Sequence, residues 1–156
     1  MSKSDSYEAL RVLFVCTGNS ARSIMAESLL RKHGGSAFEV FSAGTEPRGI
    51  NPFTVRVLEE AGLPTKQLSS KSVQQFIGQK FDYVITVCDQ ARQVCPVFPG
   101  SHQSLHWGYE DPAEATGTDE ERMAVFRNVF TQIGLRINEF AVIARRVDAG
   151  EPVAIG

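Results

Sequence analysis

Apolar residues in this chain fall in short unbroken runs separated by longer segments of mixed character. Arg11 to Cys16 reads R-V-L-F-V-C, and Phe81 to Val87 reads F-D-Y-V-I-T-V. Runs this short and this continuous fit strands covered on both faces. Phe38 to Ser42 predicts another strand and Ser104 to Trp107 a short fourth. The intervening segments carry helical signals. Ser23 to His33 has apolar Ile24, Leu29 and Leu30 and a stop at Gly34. Asn51-Pro52 supplies a cap and a first-turn proline for a helix over Thr54 to Ala61, which Gly62 ends. Ser72-Val73-Gln74-Gln75 has the form of a capping box before a short helix through Ile77. Thr118-Asp119-Glu120-Glu121 is another, opening a long helix to about Arg146 in which Gly134 is a place for a bend. Its stripe Val125, Val129, Ile133, Ile137 reads as core. Cys88 to Gln103, with Pro96 and Pro99, predicts a long loop kept out of the sheet.

Strands alternating with helices give an α/β fold with a parallel sheet. At 156 residues, 42% hydrophobic and 22% charged, the chain has the size of one domain and the composition of a globular one. The expectation is a single catalytic domain over residues 1–156, with 1–10 and 148–156 as loose tails. A net charge of -2 gives no basic surface for nucleic acid or membrane. The first residues are polar and the apolar runs too short to span a bilayer, so a cytoplasmic protein is expected. In that reducing compartment three cysteines are to be read chemically first. His33, His102 and His106 are scattered, and with the cysteines they match no common zinc spacing, so no metal is expected.

The sharpest signal is Cys16-Thr17-Gly18-Asn19-Ser20-Ala21-Arg22, a C-x5-R loop between a strand and a helix. A turn entering a helix N-terminus aims several backbone N–H groups at one place, and the helix dipole adds partial positive charge. Gly18 lets the loop curl, and the Arg22 fork can hold two oxygens of an anion. Residues Thr17, Gly18, Asn19, Ser20, Ala21, Arg22 and Ser23 thus form a cup for a tetrahedral oxyanion. Cys16 sits at its base, where those donors favour a nucleophilic thiolate, with the Ser23 hydroxyl placed to donate to it. The bland alternative is a buried core cysteine at a strand end, but the strand-loop-helix context favours the functional reading. Asp111 before Pro112 is by spacing most often a turn aspartate, and Cys88 and Cys95 taken alone are more often buried or incidental than reactive.

With these residues in view, Val12 to Ser23 resembles the loop of the low-molecular-weight protein tyrosine phosphatases, and equally that of the thioredoxin-coupled arsenate reductases that share their fold. Ser42-Ala43-Gly44, Gly49-Ile50-Asn51-Pro52, Val84 to Asp89, Cys95 to Pro99 and His106 to Pro112 extend the resemblance across about Arg11 to Arg146. It implies a three-layer fold with a four-stranded parallel sheet flanked by helices. It makes Asp111 the general acid and Asn19 an internal brace.

Two features separate the branches. Cys88 and Cys95 stand where the reductases carry two extra redox cysteines. The two rim places at which the phosphatases usually have aromatic residues look to be held by Arg48 and Ala113, so a pocket without aromatic walls is expected. Ala21 stands where many relatives of both branches have cysteine, and Ile24 where the phosphatases tend to have proline. Lys71 stands where some reductases have an aspartate that helps to bind potassium, and its ammonium would replace the cation. The resemblance implies arsenate reduction through a Cys16, Cys88, Cys95 disulfide cascade, without a cofactor. Its terminal reductant would be thioredoxin, with glutaredoxin or another thiol as alternatives. A phosphatase acting through phospho-Cys16 is the alternative enzyme, and a non-catalytic oxyanion-binding domain the alternative of another class.

Overall fold

The computed structural model describes residues 8–100 and 102–150. Its strands are β1 Leu10–Cys16, β2 Phe38–Gly44, β3 Tyr83–Thr86 and β4 Gln103–His106, and its helices α1 Arg22–Gly34, α2 Pro52–Glu60, α3 Asp89–Val94 and α4 Asp119–Asp148. The four strands form one sheet in the order β2-β1-β3-β4, every pairing parallel. Helices flank the sheet, as the alternating pattern and the resemblance led one to expect.

The chain steps from β1 to β2 on one side and then to β3 on the other. In an open parallel sheet such a reversal of winding leaves a crevice at the carboxyl ends of the two central strands. Cys16 ends β1, and Cys88 follows β3 by two residues, so both thiols are delivered to that crevice. β1 is sandwiched, as its lack of alternation requires. Phe14 meets Trp107 on one face, and Trp107 meets Phe140 of α4 edge-on at 5.4 Å. On the other face Phe41, Phe76 and Phe81 pack edge to face, with the Arg11 guanidinium 4.8–4.9 Å from two of the rings. Each fully buried Leu, Ile or Phe contributes about 1.5–3 kcal/mol by leaving water, and β1 places Val12, Leu13, Phe14 and Val15 wholly inside.

The caps follow the sequence. The Asn51 side chain accepts from Phe53 N, and Thr118 with Glu121 forms a complete capping box at α4. Ser72 accepts from Gln74 N, not from the Gln75 N of the expected capping box, and what it caps is a single 3-10 turn, Val73–Phe76, ending one residue before Ile77, where a short helix was expected to end. Other boundaries depart from expectation. β3 is shorter than Phe81 to Val87, because the ladder with β1 runs only from Tyr83 to Thr86. The expected loop over Cys88 to Gln103 holds α3, bracketed by Cys88 and Cys95 and stopped before Pro96. Gly34 stays inside α1, and the turn falls at Gly35 with φ 56°. Leu10 already pairs with Phe38 and α4 reaches Asp148, so regular structure enters both expected tails. Residues 1–7 and 151–156 lie outside the described residues. No described helix is long and apolar enough to cross a membrane.

Candidate active site

The loop from Cys16 to Arg22 joins β1 to α1. Among the described residues no side chain caps α1, so its first-turn N–H groups remain available to an anion. Asn19 is the one described residue other than glycine with positive φ, 47°. Asparagine tolerates that region, and strained backbone held in place is common at functional sites. Its N–H donates to Cys16 Sγ at 3.1 Å. Its side chain donates to Ser23 Oγ at 2.8 Å and Ser42 Oγ at 3.0 Å, and accepts from Lys71 N at 2.7 Å. With Ser23 Oγ accepting from Asn19, its own hydrogen is left for Cys16 Sγ, 2.8 Å away. Ser42 Oγ donates in turn to the buried Glu27 carboxylate, which pairs with Arg31 at 2.6 Å and lies 3.9 Å from Lys71 Nζ.

A second set of bonds holds the loop from outside. Thr45 N donates to Cys16 O, Glu46 N to Thr17 O, Arg48 N to Gly18 O and Asn51 N to Ser20 O, at 2.8–3.1 Å. Gly44 permits this closeness. A Cβ there would lie 2.5 Å from Thr17 O and 2.9 Å from Asn19 N.

The loop opens into a cavity of about 630 Å³ lined by Cys16, Thr17, Gly18, Ser20, Ala21 and Arg22. Asp111, Cys88, Gln90, Tyr109 and Arg48 form other parts of the wall. Asn19 and Ser23, expected to bind the oxyanion, lie wholly buried behind Cys16 and brace it. Arg22 donates to Tyr109 O at 3.0 Å and stands 3.5 Å from Asp111 Oδ2. Asp111 caps a 3-10 turn, Pro112–Glu114, by accepting from Ala113 N at 3.0 Å. One turn thus fixes a carboxyl in the wall of the cavity, so the turn role of Asp111 does not take its side chain away from the cup.

The expectation of a pocket without aromatic walls is corrected. Arg48 and Ala113 do line the cavity, but so does Tyr109, half-buried, its phenol pushed up by burial. The only hint in the sequence was its place between Trp107 and Asp111.

Cys16, Cys88 and Cys95 are free cysteines. Cys88 is buried on the wall of the same cavity as Cys16, its Sγ 3.3 Å from Thr17 Oγ1. The Thr17 hydroxyl also lies 3.4 Å from Gln90 Oε1, a neighbour that sequence reading missed. Cys95 is partly buried at the other end of α3 and lines a separate cavity of about 460 Å³. Burial pushes its thiol up. Among the described residues no group of three His, Cys, Asp or Glu side chains is placed to hold a metal ion.

A parallel α/β sheet with a cysteine-and-arginine loop at its switch point defines a class of protein that binds tetrahedral oxyanions at a nucleophilic thiol. Residues 11–150 match the family described as low molecular weight phosphotyrosine protein phosphatase, and the chain belongs to it. An arsenate reductase of Halalkalibacterium halodurans is 46% identical over 130 residues, 83% of this chain and 94% of that one. The crystal structure of an arsenate reductase from Archaeoglobus fulgidus matches with a TM-score of 0.68 at 33% identity, over 84% of this chain and 98% of the other. A thioredoxin-dependent arsenate reductase of Corynebacterium glutamicum matches with a TM-score of 0.66 at 28% identity, over 92% of this chain and 64% of that one.

Proposed function

We propose that this protein reduces arsenate to arsenite through three thiols acting in sequence. The observation that carries the reading is the second thiol, Cys88, in the wall of the cavity that Cys16 floors. A phosphate monoesterase needs one cysteine, an acid and an arginine; a thiol poised beside the nucleophile has no part in that reaction.

Arsenate seats on the loop amides and the Arg22 fork. Cys16 attacks arsenic, and Asp111 protonates the departing oxygen. Cys88 attacks the Cys16 sulfur, the sulfur–arsenic pair leaves with arsenic as arsenite, and a Cys16–Cys88 disulfide remains. Cys95 then attacks Cys88, Cys16 departs as a thiolate, and Cys88–Cys95 is the disulfide presented for reduction. That last bond requires α3 to unwind. The two cysteines are seven positions apart, with six residues between them, and at about 1.5 Å of helical rise per position they stand on the order of 10 Å apart. A disulfide needs Cα atoms within about 4.4–6.8 Å. Pro96 and Pro99 leave the following segment without a ladder to break.

Thioredoxin is the reductant we assign, on the likeness to the Corynebacterium glutamicum enzyme, and the reaction belongs in a reducing, cytoplasmic compartment. A side activity on phosphate monoesters is favoured by the volume of the cavity and by Tyr109 in its wall. The test is arsenite production with thioredoxin and its reductase, with glutaredoxin, or with a small thiol alone, beside hydrolysis of p-nitrophenyl phosphate. Ester hydrolysis with no arsenite from any donor returns the chain to the phosphatase side.

A further inference from the structure

His106 ends β4 with both ring nitrogens engaged. Nδ1 lies 2.7 Å from Thr86 Oγ1, and Nε2 lies 2.9 Å from Asp89 Oδ1. Asp89 is the first residue of α3 and follows Cys88 directly. The pair therefore ties the start of the helix that must unwind to the end of a strand that stays put. Gly108 keeps the space open, since a Cβ there would meet His106 Nε2 at 3.4 Å and Asp89 Oδ1 at 3.6 Å.

The same imidazole lines the cavity that holds Cys95, together with Arg92, His102 and Thr86. Cys95 needs help to react. A thiol attacks a disulfide only as thiolate, and burial works against that form. We propose that His106 takes the proton of Cys95 in the last step of the relay, and that its bond to Asp89 holds this base in reserve until α3 unwinds. The proposal rests on the three-thiol reading above. While α3 is closed, Nε2–H donates to the Asp89 carboxylate and Nδ1–H to Thr86 Oγ1. As α3 opens, Asp89 withdraws with it, Nε2–H loses its acceptor and releases its proton to solvent, and the ring, now neutral and still held through Nδ1–H, offers Nε2 as a base. The Cys95 S–H proton passes to Nε2, the Cys95–Cys88 bond forms, the Cys88–Cys16 bond breaks, and Cys16 leaves as thiolate. No further oxidant or reductant enters. The groups facing His106 are Asp89 on α3, Thr86 on β3, and Arg92, Cys95 and His102 around the cavity.

The test is a single turnover with arsenate in the absence of any reductant, quenched by alkylation at successive times, with each disulfide mapped by mass. In the wild type, conversion of Cys16–Cys88 to Cys88–Cys95 speeds up with pH through one inflection in the histidine range. In His106→Gln that conversion slows by about 10²-fold and loses the inflection. Added imidazole restores part of the rate, and the earlier arsenite burst keeps its size. Conversion at the wild-type rate, or slowed with the inflection intact, overturns the proposal. The burst counts folded sites in each sample. If His106→Gln gives none, Asp89→Asn carries the test: the inflection moves to lower pH if His106 is the base, and an unmoved inflection refutes it. A wild type that releases arsenite without ever forming Cys88–Cys95 refutes the relay itself, whatever the base.

Discussion

Thr17 and Cys88 are 71 positions apart in the chain, yet the hydroxyl of one lies 3.3 Å from the sulfur of the other. The contact joins the first residue of the anion loop to the second thiol, and it exists because β1 and β3 are neighbours in the sheet. Cys88→Ser is expected to stop arsenite release and to leave slow phosphate ester hydrolysis in place, since water can complete that reaction on phospho-Cys16. Cys95→Ser is expected to accumulate Cys16–Cys88 after one turnover, seen as a mass lower by two hydrogens. Normal arsenate turnover in both variants would make the two cysteines structural.

Cys16→Ser should abolish both activities, because the proposed attack on the bound oxyanion is made by the Cys16 sulfur, which accepts from Asn19 N and lies 2.8 Å from Ser23 Oγ. Arg22→Lys keeps a charge but loses the fork that meets Tyr109 O and approaches Asp111 together. The loss of charge-assisted bonds at about 1.5–3 kcal/mol predicts a fall in kcat/KM of about 10–100-fold. Steady-state kinetics check both, and an unimpaired lysine variant would mean that the loop amides suffice.

Asp111→Asn separates the two uses of this side chain. The amide oxygen can still accept from Ala113 N, so the turn and the melting temperature should hold. What it cannot do is give a proton to a leaving oxygen, and turnover should drop by about 10²–10⁴-fold. A variant that melts lower in proportion to its lost activity would demote Asp111 to a turn former.

Gly44→Ala tests the fit between β2 and the loop. A methyl 2.5 Å from Thr17 O must displace backbone on one side or the other. Overpacking of this kind costs about 1–3 kcal/mol, and oxyanion affinity should fall with the melting temperature. Protection of the fold by phosphate, measured as a thermal shift, reads both together.

Lys71 is charged beside the buried Glu27 and donates to Ser69 O at 2.6 Å. Replacing sodium by potassium at constant ionic strength should leave rate and melting temperature unchanged, because a cation of the chain's own already faces that carboxylate. Burial holds the lysine below its usual value, with Glu27 opposing. The folded chain thus gives up this proton at lower pH than the unfolded chain does. The stability linked to Lys71 therefore rises as pH climbs from the folded value to the unfolded one. Tyr83 and Tyr109, raised by burial, act in the opposite sense at alkaline pH. The difference between wild type and Lys71→Gln isolates the lysine. A potassium-specific gain in activity would mean that the ammonium does not serve in place of the ion.

What could be read from the sequence was what is local. Cys16 to Arg22 declared itself because anion binding at a helix start needs its residues in one stretch, and Thr118 with Glu121 declared the start of α4 in the same way. The helix α3 was hidden by Pro96 and Pro99, which speak for the residues after it and not for Asp89–Val94. Tyr109 reached the cavity through the placement of β4 against β3, which no spacing near the loop encodes. The buried link from Glu27 through Ser42 to Asn19 joins α1, β2 and the loop, and its members look ordinary until the fold assembles them.

The bonds from residues 45–51 to the carbonyls of Cys16, Thr17, Gly18 and Ser20 also fix which way the loop's peptide planes face. A peptide plane can rotate with little change in chain path, and doing so would exchange an inward N–H for an inward C=O. One such flip would set a partial negative charge against the arsenate oxygens where a donor had been. With each of these carbonyls already engaged on the outside, the flip would first have to break a hydrogen bond. The selectivity of the cup for anions is thus set in part by a stretch of backbone on its outer side, and substitutions there can weaken oxyanion binding without altering a single residue of the C-x5-R motif.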